Sequence, residues 1–151
     1  MEYPIIYLGL ATLAGIMMAV QGVINSALGD KLGPGETNFI VHTTAAIILL
    51  IFLLALQFIF GHNKLALDRI REVPWYLYLG GFIGVIITYG VIVSISRVGA
   101  AAATTAIVTG QVLTAAMADH LGILGLDEIP FSWSKLAGII LLGIAARLIL
   151  K

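Results

Sequence analysis

Apolar residues fill this 151-residue chain in five long runs, broken by short polar segments, at about residues 4–28, 38–60, 74–96, 98–118 and 133–150. A helix rises about 1.5 Å per residue and a bilayer's hydrocarbon is about 30 Å thick, so roughly 20 apolar residues cross it. Four runs meet that length and the fifth falls slightly short. The pattern predicts an all-α integral membrane protein with five transmembrane helices. No linker or low-complexity segment divides it, so residues 1–151 read as one domain.

The breaks carry turn chemistry. Gly29 to Gly35 (Gly-Asp-Lys-Leu-Gly-Pro-Gly) reads as a loop, with Thr37 or Asn38 capping the second helix. Gly61-His62-Asn63 ends that helix. Leu65–Glu72 mixes charges and apolar residues at helical spacing, which predicts a short interfacial helix before Pro74. Trp75, Tyr76 and Tyr78 follow, at the headgroup boundary that aromatic rings prefer. Only a few residues around Arg97-Val98-Gly99 join the third and fourth helices, which predicts a tight antiparallel hairpin. Small residues recur at spacings that allow close helix contact in lipid, where packing replaces the hydrophobic drive. Gly80 and Gly84, Gly99 and Gly110, and Gly138 and Gly143 are the candidates on the last three helices.

Polar residues inside the runs are few. Gln21 and Asn25 share a face of the first helix with Met18 and Gly22. Thr104, Gln111 and Asp119 lie along one stripe of the fourth, and Tyr89 stands in the third. An uncompensated amide in hydrocarbon costs several kcal/mol, so these groups face a partner or water. Interhelical hydrogen bonds, worth about 0.6–2 kcal/mol each, are one account. The other is a polar midplane cavity for a hydrophilic solute, lined by Gln21, Asn25, Tyr89 and Gln111 with Met18 and Thr104 behind them. His42, Asp119 and Glu36 are candidates for coupling or gating, although Asp119 sits at a helix end and Glu36 suits a helix N-terminus electrostatically.

Composition sharpens this picture. Charged residues make up 11% of the chain and hydrophobic ones 60%, against about 25% charged in soluble domains. So little chain lies outside the runs that no soluble catalytic domain is expected. The first run lacks a basic leader and is too long for a cleavable signal. Cysteine is absent, excluding disulfides and thiolate metal sites. No phosphate loop, zinc-protease motif or nucleophile elbow occurs, so neither an enzyme nor any metal or cofactor is expected. Ser132 and Lys135 match a bare Ser-x-x-Lys spacing by chance. Basic clusters are missing too, which argues against nucleic acid.

The eight Lys and Arg residues matter most by their placement. With five crossings, Lys31, Arg97, Arg147 and Lys151 fall on one side, and Lys64, Arg69, Arg71 and Lys135 on the other. Chains with one orientation keep an excess on the cytoplasmic face. Four against four predicts a chain that inserts both ways and pairs with an inverted copy of itself. Dominance of the Lys64–Arg71 loop, fixing one orientation, is the alternative.

Several motifs carry a family likeness. Gln21-x-x-x-Asn25-x-x-Leu28-Gly29, Gly110-Gln111 and Asp119-His120-Leu121-Gly122 resemble the YdcZ-type family of five-helix bacterial membrane proteins. Ser96-Arg97-Val98-Gly99 leading into Ala100–Ala102, the acidic Asp127-Glu128 loop and the Gly138…Gly143 spacing resemble the wider drug/metabolite transporter superfamily. The likeness spans the whole chain and implies a five-helix half-unit that pairs into a ten-helix inverted-repeat transporter in a bacterial inner membrane. Small multidrug resistance exporters look like distant four-helix relatives. Their first-helix glutamate has no counterpart here, since Ala14 and Gly15 stand where an acid would be sought.

The resulting expectation is an antiparallel, dual-topology homodimer moving a small polar or weakly charged metabolite by alternating access. A proton-coupled multidrug or organic-cation exporter, with Asp119 or Glu36 as its acid, is the runner-up. A non-transporting membrane scaffold subunit is the third reading.

Overall fold

The computed structural model describes residues 5–60, 67–125 and 127–149. Five α-helices carry the chain: α1 (Ile5–Leu32), α2 (Pro34–Phe60), α3 (Leu79–Val98), α4 (Ala100–Leu121) and α5 (Trp133–Ile149). The first four are long and apolar enough to cross a membrane, counting with α3 the short 3₁₀ turn Trp75–Tyr78 that precedes it. α5 has 17 residues, the lower limit for a span. α1, at 28 residues, is about 42 Å long and outreaches the hydrocarbon, so it tilts or projects into the headgroups.

The chain divides into two compact units, Met1–Ser96 and Arg97–Lys151. In the first, α1 and α2 form a helical hairpin, and its turn corrects the expected Gly29–Gly35 loop. α1 runs on through Gly29, Asp30, Lys31 and Leu32, and α2 begins at Pro34, leaving Gly33 as the only residue between them. The Gly33 amide donates to the Gly29 carbonyl, and the Gly33 carbonyl accepts from the Thr37 amide. One residue thus closes one helix and opens the next. Its φ of +98° suits glycine, and Pro34 occupies the first helical position, where a missing N–H costs nothing. The Glu36 carboxylate folds back over the turn, with Oε2 2.6 Å from where a Gly33 Cβ would stand. Thr37 and Asn38 are therefore inside α2 and cap nothing. In lipid every broken helical hydrogen bond must be replaced, so helices persist where aqueous turn rules would end them.

Gly22 and Gly29 bring α1 against α3. A Cβ on Gly29 would stand 2.6 Å from Ile92 Cγ2, and one on Gly22 would stand 2.9 Å from Ile95 Cδ1. Among the described residues of this unit, Gly22, Asn25, Ser26, Gly29, Thr37, Asn38, Ile92 and Ile95 are buried. Most leucine, isoleucine and phenylalanine side chains along the spans point outward, Phe58 being 92% exposed. A water-soluble fold buries its large apolar residues. Small and polar groups inside with aliphatic groups outside are what an apolar solvent selects.

Between α2 and α3 the expected interfacial helix appears as a tighter 3₁₀ stretch, Leu67–Glu72, and Leu65 and Ala66 lie outside the described residues, as do Gly61, His62 and Asn63. The Tyr78 hydroxyl donates to the Ile70 carbonyl at 2.6 Å, tying that stretch to the start of α3. Trp75 and Tyr76 meet edge to face at 6.3 Å, and Trp75 is largely exposed, as fits an aromatic belt.

In the second unit α4 packs on α5, and Ala103 and Ala146 are its buried apolar residues among those described. Gly99 precedes α4 with φ +84°. α4 runs three residues past the expected Ala118 and ends at Gly122, a left-handed C-cap whose amide donates to the Ala118 carbonyl.

Candidate functional site

The polar residues fall into a buried group in the first unit and a set exposed along the spans. Asn25 and Ser26 on α1, and Thr37 and Asn38 on α2, are each at least nine-tenths buried. Asn38 Nδ2 donates to the Val85 carbonyl at 2.9 Å, crossing from α2 to α3. One turn on, His42 Nδ1 lies 3.0 Å from the Asn38 carbonyl. A carbonyl only accepts, so Nδ1 carries the proton in that bond. Nε2 then faces α3, 3.9 Å from where a Gly84 Cβ would stand. Thr37 Oγ1 and Asn38 Oδ1 are buried with no hydrogen-bond partner. At the end of α1, Ser96 Oγ donates to Asp30 Oδ1 at 2.5 Å.

This group contains Asn25 and His42, which the residue pattern singles out, and Ser26, Thr37 and Asn38, which it does not. Thr37 and Asn38 follow a glycine-rich stretch and read as caps. The signal that finds them is the Asn38–His42 spacing of four, which puts both on one helix face.

Gln21, Tyr89 and Gln111 stand at or near the middles of α1, α3 and α4, and all three are exposed. Met18 is 50% exposed beside Gln21. Thr104 is half-buried on α4. Its neighbours Thr105 and Thr109 donate to the carbonyls of Ala101 and Thr105 on their own helix, which satisfies their hydroxyls locally.

Among the coupling candidates, Asp119 lies in the last turn of α4, where Oδ2 is 3.8 Å from Lys135 Nζ on α5. Its carbonyl accepts from the Ile129 amide at 2.8 Å. His120 beside it meets Phe131 edge to face at 6.5 Å. Asp119 therefore ties the α4–α5 loop at a helix end, outside mid-span. Glu36, in the first turn of α2, is equally terminal. Of the candidate packing glycines, Gly84 approaches His42. At Gly80, Gly99, Gly110, Gly138 and Gly143 a Cβ would meet nothing within 4 Å.

A family described as "Putative inner membrane exporter, YdcZ" matches residues 6–148. No curated protein matches the chain and no solved structure does. Four helices fit for spanning, an inside-out distribution of polarity and a match along almost the whole length agree. The chain belongs to the YdcZ family and is a multi-pass membrane transporter.

Proposed function

We propose that two copies of this chain, inverted relative to each other in the membrane, form a transporter for a small polar or weakly charged metabolite. The observation that carries this reading is the exposure of Gln21, Tyr89 and Gln111 near mid-span. An amide facing hydrocarbon at that depth costs several kcal/mol, so each of these groups calls for a partner or water. A second copy brought over these faces encloses them, and six polar groups round a shared space make a wet cavity. Met18 and Thr104 from each copy complete the lining, and Asn25, buried within its own unit, stands behind them.

The even division of Lys and Arg supports inversion, since neither face holds the chain in one sense. In an inverted pair the two-fold axis lies in the membrane plane. Inward-open and outward-open forms are then one asymmetric arrangement used in two directions, and rocking of one copy against the other exchanges access. An amide-lined site suits a neutral or weakly charged solute. The carboxylates that a cation exporter would use, Asp119 and Glu36, both stand at helix ends, not at depth.

Gln21→Leu and Gln111→Leu separate a cavity from a packing role. A thermal-shift screen of polar metabolites on the purified protein should find a ligand that raises the melting temperature. The double variant should remain dimeric and lose that shift, with affinity down at least about tenfold, or 1.4 kcal/mol. Dispersal of the dimer with ligand binding intact would make the glutamines packing residues and favour a scaffold.

A further inference from the structure

We infer that His42 is the proton-binding group of this transporter, acting with Asn38 at the contact between α2 and α3. The inference rests on the transport reading for its purpose and on geometry for its chemistry.

His42 lies inside α2, beyond its second turn, and thus within the hydrocarbon. Its Nδ1–H is committed to the Asn38 carbonyl. Neutral imidazole then carries its lone pair at Nε2, on the side facing α3 at Gly84. Asn38 is bonded to the carbonyl of Val85, next to Gly84, through Nδ2, which leaves Oδ1 buried and without a donor. One turn of α2 thus brings two acceptors, Nε2 and Oδ1, towards one turn of α3, with no donor matched to Oδ1.

A proton changes that balance. It adds to the Nε2 lone pair, breaks no bond, and turns one of the two acceptors into a donor. The Nδ1–H bond to the Asn38 carbonyl is unchanged, so the switch is confined to one atom. The proton comes from water on whichever side the site is open and returns to water on the other. Gly84 leaves the ring edge close to the α3 backbone, so a new positive charge at Nε2 acts directly on the α2–α3 contact.

No other ionisable group competes at this depth among the described residues packed nearby. On α2 the nearest is Glu36, in the first turn. α1 has Tyr7 near its start and Asp30 and Lys31 at its end, with Asp30 held by Ser96. α3 has the Tyr89 phenol at its middle and Arg97 at its end. Imidazole is the side chain whose ordinary titration falls nearest neutrality, and the spans contain no central carboxylate to serve instead.

The test uses the full chain in lipid nanodiscs, with His62→Gln and His120→Gln leaving one imidazole. Nitrogen NMR of that ring between about pH 5 and 9 reads its protonation. The labelling rate of a single cysteine at Thr88, one turn along α3 from Gly84, reads water access. The expected result is an Nδ1-protonated neutral ring that gains a proton at Nε2 as pH falls. The Asn38 side-chain amide signal should move with the same midpoint, and the labelling rate should change several-fold over the same range. His42→Gln should remove the pH dependence of labelling. If that variant fails to fold, the unsubstituted site still supplies the ring and Asn38 signals. A ring that never titrates overturns the inference, and so does one that titrates while Asn38 and labelling stay constant. A coupled titration in a protein shown to insert in a single sense would keep this inference and remove the inverted pair.

Discussion

Two lysines placed on one face of the membrane will make the chain monomeric when expressed alone, and an oppositely biased copy will restore the dimer. Asp127→Lys with Glu128→Lys loads the α4–α5 loop. Leu32→Lys with Val98→Lys loads the opposite face, at the ends of α1 and α3. All four positions are exposed, and Gly99 is untouched because its φ of +84° demands glycine. Orientation follows the Lys and Arg excess near span ends, so an even chain becomes a biased one. An inverted pair cannot form from copies that all insert in one sense. Light scattering of the purified variants should show monomers for either alone and a dimer of the two after co-expression. A dimer from either biased variant alone contradicts the account. The readout is assembly, so no substrate is needed.

Gly29→Ala is expected to destabilise the first unit by about 1–3 kcal/mol, the usual cost of overpacking. The new methyl would stand 2.6 Å from Ile92 Cγ2, a branch fixed close to the α3 backbone, and Ile92 is only 1% exposed. One of the helices must move. Gly22→Ala meets Ile95 Cδ1 at 2.9 Å, the far end of a flexible side chain, which rotates away, and Val91 Cγ1 at 3.1 Å, which must give by a few tenths of an ångström. Its cost should stay under about 1 kcal/mol. Unfolding in mixed micelles followed by helical circular dichroism gives both values. Adding Ile92→Ala to Gly29→Ala should destabilise by less than the sum of the single changes, because the two share one space. Equal costs for Gly22→Ala and Gly29→Ala would mean that α1 and α3 do not meet as described.

The number and approximate positions of the helices are legible in the apolar runs because lipid demands length and little else. Helix ends are less legible. Gly29 reads as a breaker by aqueous rules, yet it is helical, and it is glycine because Ile92 packs where a side chain would be. Burial is the least legible. Hydrophobic periodicity marks the inward face of a helix in water, but in lipid both faces of α2 are apolar and the inward one is marked by a few small or polar residues. Asn25 is found that way. Thr37 and Asn38 are missed, since proximity to Gly33, Pro34 and Gly35 suggests a cap until the turn is known to occupy one residue. Gln21, Tyr89 and Gln111 stand near the middles of their helices, as counting along the runs suggests, and the proposed second copy is what would cover them.

Single cysteines at Val98 and at Glu128 test the inverted pair most directly, helped by the absence of native cysteine. Val98 ends α3 and Glu128 follows α4, so with α4 spanning the bilayer the two sites lie on opposite faces of the membrane. Intact cells exposed to an impermeant maleimide should label both to about half, as an unbiased chain requires. Complete labelling of one site with none at the other would show a single orientation and contradict the account.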